Sequence, residues 1–145
     1  MKILLAILII LLLLACGNTG DKTSKTTSEN SIIGTPIRLG NIEIAEKDFP
    51  DPLTWDAAKA TCTTLGSGWR LPTKDELNNM YLNKKIIGIG MIPRCNYWTS
   101  TEVVPPIINN KYDIGMYFWT QNSCMGKQDI SHKSGIICVR AVRNY

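Results

Sequence analysis

Hydrophobic residues fall along this chain in three regimes. Residues 3–15 are unbrokenly apolar, residues 17–31 contain no hydrophobic side chain, and from Ile32 onward apolar and polar positions alternate with recognisable periods. In the third regime, Ile37-Arg38-Leu39-Gly40-Asn41-Ile42-Glu43-Ile44 predicts two short strands about a Gly40-Asn41 hairpin turn. Trp55, Ala58, Cys62 and Leu65 share one face of a helix, which Thr54 can cap and Gly66 and Gly68 end. Thr73-Lys74-Asp75-Glu76 has the form of a capping box. It opens a second helix whose inward stripe is Leu77, Met80 and Tyr81. After Gly88 and Gly90 the period shortens, and strands are predicted over Tyr97–Thr101, Tyr112–Trp119 and Ile136–Arg143, with loops at Asn109-Asn110 and Gly126. The pattern is α+β.

The first two regimes read as an address. Met1-Lys2 is a short positive start, and the thirteen apolar residues Ile3 to Ala15 suit a signal peptide but are short for a membrane span. Leu13-Leu14-Ala15-Cys16 resembles a bacterial lipobox, although Leu14 is bulkier than the usual residue there. The resemblance implies cleavage before Cys16 and acylation of its thiol. Two or more acyl chains, at ~0.8 kcal/mol per buried methylene, anchor a protein stably. Residues 1–15 are therefore expected to be a lipoprotein signal peptide. Residues 16–31 are expected to be the lipidated Cys16 and a flexible polar tether, because such a composition cannot bury enough apolar surface to offset ordering entropy. Gly17, where retained lipoproteins carry Asp, implies an outer-membrane location in a diderm cell.

Residues 32–145 then form one domain. They hold 13 basic and 10 acidic side chains. That mild excess permits an acidic polymer as partner, and a nucleic-acid partner is not expected. Beyond Cys16 the cysteines are Cys62, Cys95, Cys124 and Cys138. An even count in an exported chain reads as two disulfides, with three pairings open. No CxxC or HxxxH spacing occurs, so no metal site is expected. His132, the single histidine, lies in the polar run Gln128 to Ser134 and reads as a surface-loop residue, leaving no base for a hydrolytic triad. The carboxylates Asp48, Asp51, Asp56, Glu76, Glu102, Asp113 and Asp129 show no spacing that brings them together. No catalysis and no cofactor are expected.

Four segments together resemble one family. They are Thr54-Trp55-Asp56-Ala57-Ala58-Lys59-Ala60-Thr61-Cys62, Gly68-Trp69-Arg70-Leu71-Pro72-Thr73-Lys74-Asp75-Glu76-Leu77, Tyr97-Trp98-Thr99-Ser100-Thr101-Glu102 and Val139-Arg140-Ala141-Val142-Arg143. In order and spacing they resemble the Lcl C-terminal domain, a domain of unknown function in bacterial surface proteins, and the related Fibrobacter succinogenes major paralogous domain. The family is similar to C-type-lectin-like folds and, more distantly, to the formylglycine-generating fold. The resemblance implies two helices on a twisted, mostly antiparallel, disulfide-stapled sheet whose first and last strands lie close together. It also implies a Cys62–Cys138 bond, with Cys95–Cys124 as the second. The calcium-lectin signatures Glu-Pro-Asn and Gln-Pro-Asp are absent, so calcium is not expected.

The Gly-Trp-Arg-Leu-Pro-Thr motif reads as scaffold. Trp69 and Leu71 enter the core, and Arg70 can satisfy loop carbonyls or pair with a carboxylate such as Glu76. The ligand surface is expected on the loops Lys84 to Arg94, Val103 to Lys111 and Gln121 to Ser134. Its members would be Lys84, Lys85, Arg94, Lys111, Lys127 and Lys133, with Tyr97, Trp98 and Trp119 as aromatic neighbours. Two readings follow. One is an envelope module that binds glycan or another surface polymer without catalysis. The alternative is a structural component docking on an envelope protein, which an exposed apolar patch over Val103 to Ile108 would favour.

Overall fold

The computed structural model describes residues 31–85, 95–104 and 114–145. The leader, Cys16, the tether, Arg94 and residues 105–113 lie outside them. In chain order the elements are β1 (Ile37–Leu39), β2 (Ile42–Ile44), α1 (Trp55–Thr64), α2 (Lys74–Asn83), β3 (Asn96–Glu102), β4 (Tyr117–Asn122), β5 (Gln128–His132) and β6 (Val142–Asn144). They form two antiparallel three-stranded sheets, ordered β1-β2-β6 and β3-β4-β5.

The expected hairpin is present, with Leu39 opposite Ile42 and Gly40 at positive φ. The last strand pairs with the first hairpin, Ile44 opposite Val142, as the lectin-like resemblance implied. The segment before β6 joins the sheets. Cys138 bridges to Tyr97 in parallel, and Val142 to Arg70.

Helix α1 begins differently from expectation. The Thr54 side chain makes no capping bond. Instead the Trp55 amide donates to the Lys133 carbonyl, a tertiary partner 78 positions away in sequence. The α2 capping box is intact: Glu76 N donates to Thr73 Oγ1 and Thr73 N to Glu76 Oε2. The same carboxylate takes both terminal nitrogens of Arg70, at 2.8 and 2.9 Å. Of the two partners open to Arg70, the structure shows both: a bidentate pair with Glu76, which locks the inter-helix turn to the cap, and a bond to the Leu71 carbonyl. On the α2 stripe Leu77 and Met80 are buried. Tyr81 is only half-buried, and its hydroxyl donates to the Cys124 carbonyl.

Two apolar clusters make the core. Cys62, Leu65, Trp69, Leu71, Trp98, Phe118 and Val139 belong to one, under α1. Ile42, Ile44, Leu77, Met80, Tyr97, Cys138 and Val142 belong to the other, under α2. Their division explains the disulfide. The bond is Cys95–Cys138, not Cys62–Cys138, so a Cys95–Cys124 bond is excluded as well. Successive residues of an extended strand face opposite sides. Val139 therefore faces α1 and Cys62, while Cys138 faces the second cluster, where Cys95 packs. Cys62 is a buried thiol of the core, and Cys124 is exposed on the β4–β5 turn.

The polar run from Gln128, expected to be a loop, forms strand β5 as far as His132. Its ladder to β4, not its composition, makes it a strand. The expected Val103–Ile108 patch is only partly within the described residues. Val103 is buried, with its amide bonded to the Tyr117 carbonyl, and Val104 is exposed.

Candidate functional site

The expected loop lysines divide between the two ends of the β3-β4-β5 sheet: Lys84, whose ammonium meets the Ser123 carbonyl, shares an end with Lys127, and Lys133 is at the other. In an antiparallel sheet, successive connections lie at opposite ends of the strands. Asn96 pairs with Asn122, so the β4–β5 turn with Lys127 sits at the end where β3 begins. Lys133 and the connection after Glu102 sit at the other end, about 17–20 Å away over the six residues of β4.

The named residues differ in burial and in their partners. Trp98 is fully buried, and its indole N–H donates to the Leu53 carbonyl. It is core because its register partner is Thr120, on the face that α1 covers. The Lys84 ammonium donates to the Ser123 carbonyl at 2.7 Å and lies over the Tyr81 ring. Lys127 pairs with Asp129, and Lys133 with Asp56. The Asp129 carboxyl is held below its usual range by the Ile130 amide and then by Lys127. Lys85 is exposed. Cys16 and Arg94 lie outside the described residues.

Trp119 fares differently. Along β4, Phe118 and Thr120 face α1, with the Phe118 ring stacked on Trp55 at 3.7 Å. Tyr117, Trp119 and Gln121 face the other way and stand opposite His132, Ile130 and Gln128 of β5. Helix α2 covers only the Gln121 end of this face, where Gln121 Nε2 donates to Asn78 Oδ1 and Gly126 O. Gln121 Oε1 is buried with no hydrogen-bond partner. Beyond the start of α2 the face is half-buried. There Lys74 Nζ lies 3.3 Å from the centroid of the Trp119 ring, Gln128 Nε2 reaches the Lys74 carbonyl, and Tyr117 meets His132 edge-on.

This strip brings an indole, a phenol, an imidazole, an ammonium and a carboxamide onto one face of β4 and β5. Aromatic faces with adjacent donors suit the C–H faces and hydroxyls of sugars, and the ammonium suits an acidic substituent. Lys74 and Tyr117 were not anticipated as site residues, and Gln128 and His132 lie in the expected Gln121–Ser134 segment without having been singled out. Lys74 is separated from Trp119 by 45 positions, and only the capping box that sets the start of α2 hinted at its placement. Among the described residues no group of three or more His, Cys, Asp or Glu side chains is placed to hold a metal ion.

No protein-family model and no curated protein matches the sequence. Solved structures do match. EMS16, an antagonist of the collagen receptor integrin alpha2beta1 (GPIa/IIa), superposes with TM-score 0.56 at 10% identity, over 76% of this chain and 97% of that one. Botrocetin superposes with TM-score 0.52 at 14% identity, over 76% and 96%. Botrocetin in complex with the von Willebrand factor A1 domain gives TM-score 0.53 at 11% identity, over 76% and 96%. The fold of this chain is C-type-lectin-like: two helices on antiparallel sheets, closed by a disulfide between Cys95 and the segment leading to the last strand.

Proposed function

We propose that this chain is a non-catalytic binding module of a bacterial envelope, anchored by lipid on Cys16 and held off the membrane by residues 17–31. Its domain is read as an Lcl C-terminal-like domain, on the four motifs quoted above, and its ligand as a glycan or another acidic surface polymer. The observation that carries the reading is the Lys74–Trp119 contact on the half-buried face of β4 and β5. On this reading the contact stands beside the loop lysines as a ligand contact.

The test is binding of neutral and sulfated glycans to the mature chain at low and moderate salt, with and without calcium. The reading expects a salt-sensitive, calcium-independent hit with quenching of indole fluorescence. Both Lys74→Ala and Trp119→Ala should weaken it about tenfold, while Lys85→Ala changes little. Salt-independent binding, or binding untouched by both substitutions, would sink it.

A protein partner is the second reading. The botrocetin complex supports it, since a protein of this fold there engages another protein. Exposed Val104 and Ile114, at the borders of residues 105–113, offer apolar contact. A blank glycan panel together with a specific crosslinked envelope partner would favour this reading.

A further inference from the structure

The outer face of the β1-β2-β6 sheet carries an ordered row of side chains. Arg38 stands opposite Glu43, and Glu43 opposite Arg143, so three adjacent strands present Arg, Glu, Arg in register. Glu43 is buried between the two guanidinium groups, Arg38 Nε at 3.2 Å from one oxygen and Arg143 Nε at 2.8 Å from the other. Each guanidinium also lies on an aromatic ring, Arg38 on Tyr145 at 3.5 Å and Arg143 on Trp69 at 4.8 Å. Both remain accessible, their side chains 58% and 37% exposed, and Tyr145 is 69% exposed. Arg38 engages Glu43 through Nε, which leaves its two Nη groups as donors for an outside acceptor. The central carboxylate thus orients two arginines about 10 Å apart, across two inter-strand spacings, and its own charge is sequestered between them.

The row lies beside the point where the chain joins the domain. The Ile33 and Ile32 carbonyls accept from the Glu46 and Lys47 amides just past the end of β2, and β1, which carries Arg38, begins four residues after Ile33. The fifteen residues 17–31 reach at most about 50 Å even when fully extended. That is no more than about two widths of a domain of this size, whose radius of gyration is about 13 Å. A domain held so closely turns some face toward the bilayer, and the face nearest the junction is favoured. Tethering also raises the effective concentration of that face at the bilayer into the millimolar range, so a weak contact suffices.

We infer that the Arg38–Glu43–Arg143 row and Tyr145 form a membrane-docking face that takes the phosphodiester headgroups of anionic lipids. The inference rests on the lipid-anchor reading above. Guanidinium forks match phosphate oxygens bidentately, and an exposed tyrosine suits the headgroup layer. Docking this face leaves the β4–β5 strip, on the other sheet, for a separate ligand.

The test uses the full chain, expressed in a diderm host with labelled palmitate and reconstituted into vesicles of phosphatidylcholine alone or with phosphatidylglycerol. Hydrogen exchange is read over Ile37–Leu39 and Val142–Tyr145. The expected result is label that depends on Cys16, and exchange slowed in anionic vesicles only. The slowing should reverse at high salt and fall about fivefold with each of Arg38→Gln and Arg143→Gln. Tyr145→Ser, which leaves the Glu43 pairs intact, should weaken it as well and guards against misfolding of the arginine variants. Labelled protein with equal exchange in both vesicle types overturns the docking face and leaves the anchor standing. Unlabelled protein that still binds anionic vesicles through these residues supports the face and overturns the anchor.

Discussion

At the scale of single residues, two tryptophans with similar neighbourhoods in sequence have opposite roles. Trp98 is sealed in the core with its N–H bonded, whereas Trp119 is half-buried beneath Lys74. Trp98→Ala should cost about 3–5 kcal/mol, and Trp119→Ala only about 1 kcal/mol, in urea unfolding. Equal costs would contradict the two placements. Cys62 makes the same point for a thiol. Burial pushes it up to about 12. Native protein should therefore resist alkylation at Cys62, and modification should follow unfolding rather than the pH of thiolate formation. Rapid alkylation of Cys62 in folded protein would count against its burial. Sequence placed Cys62 correctly on the inner face of α1. It could not show that Val139, one residue from Cys138, is what that face meets.

Among the elements, α2 was the most legible, because the capping box is a local signal whose donors and acceptors lie within four residues. Its coupling to Arg70 makes it sensitive to pH. The Arg70 guanidinium, aided by the Thr73 amide, outweighs burial and holds the Glu76 carboxyl below its ordinary value of 4.5. A carboxyl depressed on folding contributes its full stabilisation above the unfolded value, and loses it as pH falls through the folded one. Stability should therefore drop on acidification below about pH 4.5, and Glu76→Gln should flatten that part of the profile while costing about 1–2 kcal/mol at neutral pH. An unchanged acid limb would remove Glu76 from the account. Strand β5 was the least legible element. Its residues are polar, and their pairing partner on β4 exists only after folding.

For the whole molecule, what closes the fold is long-range. Arg140 is fully buried and bonded to Asp48 and to the carbonyls of Ala45 and Glu46, while the Tyr97 hydroxyl donates to the other Asp48 oxygen at 2.6 Å. The network binds the segment after β2 to the segment before β6 and to β3. Asp48→Ala would leave a buried guanidinium without its counter-charge and should cost about 3–5 kcal/mol, enough to threaten folding. The Cys95–Cys138 bond closes a 43-residue separation, worth about 4 kcal/mol in the chain-entropy picture. Non-reducing peptide mapping should recover that pair. Reduction should lower the melting temperature sharply, and recovery of a Cys62–Cys138 peptide would refute the observed division of the core.

The sequence by itself determined the hairpin, both helices, the capping box of α2 and the α+β class. Each of these is written in local periods, caps and turns, which depend on residues a few positions apart. Tertiary structure decided which cysteines meet, which tryptophan faces outward, and that Lys133 stands at the opposite end of a sheet from Lys84 and Lys127. Those outcomes depend on strand direction and on which face each strand residue presents, and neither exists until distant segments pair.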